Sequence, residues 1–261
     1  MSTDAVVTSK AGGVLTIGLN APSRRNAIDN EMYVALAELI AQASVDPEVR
    51  VLLFHGEEGY FTSGNALSEF IGHDSNREFV PLRFFRAIAS CGKPIVAAVE
   101  GGAIGVGATA LLHCDVVYAG RGTRFQMPFI DFGLCPEGGS SLLLAQGGGY
   151  KRAARWLLLG ESFNADQAVL GGLVTEVVDD RAALDHARAA AFKLAQHPPN
   201  AVVKTKELMR RGQHAALMLT LEEEGKHFSK LLASREAQDA LSRFVDRLGR
   251  RKTSHAGEIE E

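Results

Sequence analysis

The sequence predicts an α/β protein in which parallel strands alternate with crossover helices, followed by a helical region. Three observations lead there. Short apolar runs over 51–54 and 95–99 have the length and composition of strands buried on both faces. Stretches with helical spacing of apolar residues stand between them, as parallel pairing requires. Beyond Gly160 the texture turns to helix after helix, interrupted by one last strand.

The elements follow in order. Residues 14–19 alternate and end at Asn20-Ala21-Pro22-Ser23, a strand entering a loop. Over 31–43, Met32, Leu36, Leu39, Ile40 and Ala43 recur at helical spacing, with Asp29 or Asn30 available as N-cap. The strand at 51–54 comes next, then a helix over 78–91 and the strand at 95–99 after Lys93-Pro94. Residues 115–119 form a further strand, closed by the turn Gly120-Arg121-Gly122. Asn164 caps a helix starting at Ala165, and 172–178 supplies the last strand. Helices are expected over 181–196, 201–211, 214–232 and 235–248, with a boundary near 196–200.

Composition narrows the partners. Of 261 residues, 46% are hydrophobic and 23% charged, ordinary for a globular chain. The net charge of −3 lacks the basic excess of a nucleic-acid or membrane-surface protein, so any anionic ligand must be met locally. Cys91, Cys114 and Cys135 are too few and too widely spaced for a disulfide scaffold or a Cys-x-x-Cys metal site. The first twenty residues lack a basic start followed by an apolar stretch, and no run approaches the ~18 apolar residues of a membrane span. The ending HAGEIEE is no peroxisomal address. A soluble, reduced, cytoplasmic protein is expected, with no nucleic-acid or membrane partner.

Three segments are able to carry chemistry. In Phe61-Thr62-Ser63-Gly64-Asn65-Ala66-Leu67, Gly64 and Asn65 tolerate backbone conformations that point successive amides into one concavity, although an ordinary strand-to-helix turn reads the same way. The run 100–108, Glu-Gly-Gly-Ala-Ile-Gly-Val-Gly-Ala, turns from a strand into an apolar stretch and exposes amides at a positive helix end. Close packing of a helix on a sheet accounts for such glycines equally well. Its Gly105-x-Gly107-x-x-Ala110 touches the dinucleotide fingerprint, but no strand-ending acid follows about 20 residues later. In Pro136-Glu137-Gly138-Gly139-Ser140-Ser141, Glu137 stands at a helix start in largely apolar sequence, where burial would raise its pKa toward that of a working base; a plain helix cap is the competing reading. His113-Cys114-Asp115 is too tightly spaced to converge on one metal, Cys135 reads as a small hydrophobe, and Glu222-Glu223-Glu224 as a solvated helix face. Arg24 and Arg25 offer positive charge in a loop.

Taken together and in this order, these segments resemble the crotonase (enoyl-CoA hydratase/isomerase) superfamily. The matching pieces are Arg25-Asn26-Ala27-Ile28, Ser63-Gly64-Asn65-Ala66-Leu67, the run from Lys93-Pro94 to Glu100-Gly101, Cys114-Asp115 with the strand after it, Pro136-Glu137-Gly138-Gly139-Ser140-Ser141, and Ala168-x-x-x-Gly172-Leu173-Val174, over roughly residues 5–210. The resemblance implies a crotonase-like spiral of strand-strand-helix repeats over 1–197 and a C-terminal helical oligomerisation region over 198–255, and the polar ending is expected to form a disordered tail over 256–261. Leu217, Leu219, Leu221, Phe228, Leu231 and Leu232 supply the apolar spacing for packing in that region, and a homotrimer or a dimer of trimers is implied.

The resemblance also implies an acyl-CoA thioester substrate, coenzyme A arriving as part of it, and neither a further cofactor nor a metal. The amides of Asn65 and Val106 would hold the thioester oxygen. Arg24, Arg25, Ala27, Ser63, Gly64, Ala66, Leu67, Gly105, Thr109 and Phe129 would line the substrate, with the two arginines toward the CoA phosphates. Hydratases of the family use two glutamates; Thr109 and Phe129 stand at those positions here, and neither shuttles a proton. Glu137 stands where the peroxisomal-type 3-enoyl-CoA to 2-enoyl-CoA isomerases carry their single catalytic glutamate. An isomerase of that type is therefore expected. Isomerases of ring-containing CoA thioesters, an enoyl-CoA hydratase and a catalytically silent CoA-binding subunit remain as alternatives. The sequence departs from the pattern at Ala66, where the family commonly has aspartate.

Overall fold

A computed structural model of the chain describes residues 4–256. It opens with a hairpin, β1 (Val6–Ala11) and β2 (Val14–Leu19), paired antiparallel. Its two-residue loop Gly12-Gly13 has φ of 56° and 80°, the left-handed pair that a type I′ hairpin turn demands and that glycine supplies without strain. The sequence reading missed β1, because an edge strand in which only Val6 is buried and the last four residues are exposed lacks the buried apolar run used to find the others.

Next come α1 (Asn30–Val45), β3 (Val51–Gly56), α2 (Pro81–Ser90), β4 (Ile95–Val99), β5 (Gly102–Ile104) and α3 (Val106–Leu111). They are followed by β6 (Val116–Gly120), β7 (Arg124–Gln126), α4 (Ser140–Gly148), α5 (Tyr150–Leu158), β8 (Phe163–Asn164), α6 (Ala165–Leu170) and β9 (Glu176–Val178). One sheet runs β1-β2-β3-β4-β6-β9, parallel from β2 onward; a second runs β5-β7-β8. Strands β4 and β6 thus each hand the chain to a short strand of the second sheet, β5 and β7, before the next helix. That strand-strand-helix winding is the expected spiral.

Elements begin where local chemistry starts them. The side chain of Asp29 accepts the amide of Met32 at 2.9 Å and caps α1. Helix α2 begins at Pro81 rather than residue 78, since proline fits the first helical position. Asn164 and Gln167 form a reciprocal capping box on α6. The last strand shrinks to three residues because Gly172, at φ 72°, is still turning.

Helices α7 (Ala183–Gln196), α8 (Pro199–Arg210), α9 (His214–Leu232) and α10 (Arg235–Ala256) complete the chain. Ala183, Ala187, Ala191 and Ala195 form a small-residue ridge that seats α7 on Val51, Leu53, Val96 and Ala98 of the large sheet. Leu52, Phe54, Ile95, Ala97 and Val99 point to the opposite face and join the main core. Leu217, Leu221, Phe228 and Leu232 of α9 are buried in that same core, while Leu219 and Leu231 remain exposed. The tail expected at 256–261 falls, beyond residue 256, outside the described residues. No helix of the described residues is long and apolar enough to cross a membrane.

Candidate active site

Three backbone segments lie side by side and build the floor of the site. The amide of Ser63 donates to the carbonyl of Arg25 at 2.9 Å, that of Ile28 to Gly64 at 2.8 Å, and that of Ala66 to Ile28 at 2.8 Å. On the other side Thr62 donates to Gly102 at 3.0 Å and Ile104 to Thr62 at 3.1 Å. Buried Asn26 stitches the assembly from beneath, accepting the amide of Ala21 and donating to the carbonyls of Glu57 and Tyr60. Residues 24–28, 62–66 and 102–106 are thereby held in fixed register.

This register brings the loop of Asn65 against the loop of Val106: a Cβ added at Gly64 would stand 2.8 Å from the carbonyl oxygen of Ile104 and 3.9 Å from the nitrogen of Gly105. Gly64, at φ 95°, turns its amide to the hydroxyl of Thr62, and Gly105, at φ 54° and ψ −118°, breaks the chain into α3. Among the described residues the amides of Asn65 and Val106 donate to nothing. Two free donors on adjacent fixed loops are what an oxyanion requires. The sequence-level alternative that Gly105 and Gly107 serve packing also holds for Gly107, whose added Cβ would stand 2.4 Å from Thr62.

Glu137 reaches the site from the turn before α4. Only 1% of its surface is exposed. Its Oε1 faces Asn65 Nδ2 at 3.5 Å, and its Oε2 is enclosed without a partner, so access to it requires neighbouring side chains to shift. Burial pushes its pKa up to about 8; Asn65 opposes the rise and the nearby Glu224 adds to it. It does not cap α4 with its side chain: the N-cap is Gly139 at φ 74°. Gly138, at φ 70°, lies so close to Phe85 that a Cβ would stand 2.4 Å from that ring. His113 donates Nε2–H to the carbonyl of Gly138 at 2.7 Å, and burial lowers its pKa to about 4, leaving it neutral.

Tyr33 and Glu224 also belong to the site, and the sequence reading did not include them. The phenol of Tyr33, buried on α1, donates to Asn65 Oδ1. That fixes the Asn65 amide with its nitrogen toward Glu137. Glu224, read from the sequence as solvent-facing, is 8% exposed and bonds the Glu137 turn. Of its neighbours, Glu222 does face solvent and pairs with Arg86 at 2.5 Å.

The remaining sequence candidates fall as follows. Thr109 is fully buried in α3, its hydroxyl 3.4 Å from the carbonyl of Val106, and Phe129 packs edge-on against Phe228. Ala27 and Ala66 sit in the stitched segments, the latter with its amide spent on Ile28. Leu67 packs against the core, and Ser63 donates its hydroxyl to the carbonyl of Arg24 at 3.1 Å. Arg24 pairs with Asp29, and Arg25 stands 5.7 Å above the Tyr60 ring. All three cysteines are free; burial raises Cys135 to about 11 and Cys114 to about 12, which leaves both as thiols. Among the described residues no cluster of three or more His, Cys, Asp or Glu side chains is arranged to hold a metal ion.

The chain is similar to known proteins over most of its length. The family described as Enoyl-CoA hydratase/isomerase matches residues 9–254. The chain is 32% identical over 244 residues to 2,3-dehydroadipyl-CoA hydratase of Escherichia coli, covering 93% of this chain and 96% of that protein. It is 34% identical over 249 residues to Enoyl-CoA delta isomerase 2 of Rattus norvegicus, covering 93% of this chain and 63% of the relative. Among solved structures, OdaA of Pseudomonas aeruginosa superposes with a TM-score of 0.89 at 40% identity, over 93% of this chain and 99% of that one.

Proposed function

The chain belongs to the enoyl-CoA hydratase/isomerase family, and from that membership we propose that it is an isomerase that moves the double bond of a 3-enoyl-CoA to the 2-position. The observation that carries the reading is a solitary proton carrier. Glu137 is a buried carboxylate with one free oxygen, and Thr109 and Phe129, both buried, stand at the two positions where the family resemblance expects a hydratase's pair of glutamates. Hydration needs one group to activate water and another to protonate carbon; a bond shift needs only one.

In the proposed step the Glu137 carboxylate takes a proton from C2 of the acyl chain. The C–H electrons delocalise into a dienolate whose negative charge gathers on the thioester oxygen, where the amides of Asn65 and Val106 receive it. Glu137 then returns the same proton to C4, leaving the double bond between C2 and C3. Atoms and charge balance with no other reactant. A carboxylate whose pKa is about 8 suits both halves, since it is basic enough to remove the proton and acidic enough to give it back. Arg25, exposed beside Tyr60, is the loop cation proposed to meet the CoA phosphates, since Arg24 is engaged by Asp29.

Hydration is the second reading, favoured by the similarity to a hydratase. Incubating the enzyme with 3-enoyl-CoA and 2-enoyl-CoA in turn separates the two. Conjugated thioester absorbance growing from the former is expected, with little loss from the latter. Faster loss of 2-enoyl-CoA than gain from 3-enoyl-CoA would overturn the isomerase reading; a ring-containing CoA thioester in the same panel tests the wider substrate class. We further propose that copies of the chain assemble, supported by Tyr150 and Leu158 of α5, Leu159 just after it and Leu170 of α6, large apolar side chains at least 63% exposed. Sedimentation is expected to give more than one chain per particle; a monomer would refute it.

A further inference from the structure

Glu224 lies on α9, eighty-odd residues beyond the turn that carries Glu137, yet it is bonded into that turn. Its Oε2 accepts the amide of Gly139 at 2.6 Å, and its Oε1 accepts the amide of Ser141 at 2.9 Å and the Ser141 hydroxyl at 2.5 Å. Gly139 has no side chain with which to cap α4, so the anion that satisfies the first amides of that helix comes from α9. The backbone between Glu137 and α4 passes through two residues at positive φ, Gly138 and Gly139, a joint with no intrinsic preference for one conformation. His113 and Phe85 hold Gly138 from one side, and Glu224 holds Gly139 and Ser141 from the other.

We propose that Glu224 is a positioning residue for Glu137, clamping the glycine joint that aims the Glu137 carboxylate and setting a second buried negative charge beside it. The proposal rests on the reading of Glu137 as the proton carrier. Burial raises the Glu224 pKa above the ordinary carboxylate value, and the bonds from Ser141 and Gly139 oppose that rise; both of its oxygens accept N–H bonds, the arrangement of an ionised carboxylate. The titratable groups around Glu137 are Tyr33 from α1, His113 from α3, Cys135 from its own segment and Glu224 from α9. Burial keeps Tyr33 and Cys135 protonated and His113 unprotonated near neutral pH. Glu224 is thus the one neighbour whose charge acts on Glu137, and it favours the protonated form.

The test compares parent, Glu224→Gln, Glu224→Asp, Glu137→Gln and the Glu137→Gln/Glu224→Gln double variant with 3-enoyl-CoA across pH. Glutamine keeps the size and one acceptor but loses the charge. Glu224→Gln is expected to lower kcat by about 10- to 100-fold, with KM little changed and the acidic limb of kcat/KM moved to lower pH. Aspartate restores the charge, so the limb should return toward the parent position even where kcat does not. In the Glu137→Gln background the second substitution should cost nothing more, because the clamp acts only through Glu137. Parent kcat and an unmoved limb in Glu224→Gln would reduce Glu224 to a structural cap and overturn the proposal. Should Glu224→Gln fail to fold, an aspartate variant with parent kcat would overturn the clamp equally, because its carboxylate is one methylene too short to hold Gly139 and Ser141 as glutamate does. A Glu137→Gln enzyme with parent activity would instead sink the proton-carrier reading on which the proposal rests.

Discussion

Gly64 lies against the carbonyl of Ile104 so closely that a Cβ there would stand 2.8 Å from the oxygen. The contact sets the spacing of the two loops whose amides, at Asn65 and Val106, are free. Gly64 is also at φ 95°, a conformation that L side chains rarely adopt. Gly64→Ala should therefore spread the loops and misplace one donor. Losing one oxyanion donor typically costs ~10²- to 10³-fold in kcat, and a drop of that order is expected with the protein still folded by circular dichroism. Parent-like kcat would show that the two amides do not act together on the substrate.

Glu137→Gln tests the base and its burial at once. The base works deprotonated, so the parent kcat/KM should climb with pH through about 8 and level off above it. The folded value is raised above the ordinary 4.5, so between those two pH values the folded chain holds a proton that the unfolded chain has released. Stability is then lost as pH rises through that window, by about 1.4 kcal/mol per pH unit. Glutamine does not titrate. The variant should lose at least ~10²-fold in kcat and gain stability relative to parent from pH 5 to pH 8. Urea unfolding followed by the single tryptophan, Trp156, which stacks on Phe163 at 3.7 Å, measures this. An equal difference at both pH values would mean that Glu137 does not titrate in that window.

Why Glu137 was legible in the sequence and Glu224 was not is a matter of local signal. Pro136 and two glycines around one carboxylate announce a turn with an acid in it, and Gly64 and Gly105 mark backbone that departs from the L-residue norm. Those cues are local and survive without a structure. Glu224 stands in a run of three glutamates, and charge alone reads as a solvated face. The available signal was its helical phase: it shares a stripe with Leu217, Leu221 and Phe228, all buried. Tyr33 has the same phase as the core side of α1, and its partner lies 32 residues away in sequence, so nothing nearby distinguished its hydroxyl from a packed ring. Strands β5, β7 and β8, at two or three residues, are too short to carry a period.

Tyr33→Phe should isolate the orientation of Asn65. The phenol engages Oδ1, which leaves Nδ2 to face Glu137; without it the amide is free to turn over. Nδ2 favours the ionised carboxylate, so its loss should move the acidic limb of kcat/KM to higher pH. The shift is opposite in sign to that expected for Glu224→Gln. A modest fall in kcat and a stability cost of about 1 kcal/mol accompany the lost hydrogen bond. A limb at the parent position would mean that Asn65 keeps its orientation without Tyr33.

Asp115 should matter for stability and not for proton transfer. Its Oδ2 accepts the Lys206 ammonium at 2.7 Å and the amide of Ile95 at 2.8 Å, and its Oδ1 lies 3.3 Å from Arg210. Lys206 is 7% exposed and spends a second hydrogen on the carbonyl of Lys93, so α8 is pinned to the starts of β4 and β6. Burial already holds its ammonium below the ordinary lysine pKa, and Asp115 is the main counterweight. Asp115→Ala removes the carboxylate and leaves a buried cation unpaired, which typically costs about 3–5 kcal/mol. Replacing Lys206 with methionine in that background removes the stranded charge and should recover much of the loss. Urea midpoints of the single and double variants measure the effect, and a double variant no more stable than Asp115→Ala would show that the cost lies in the lost Ile95 contact instead.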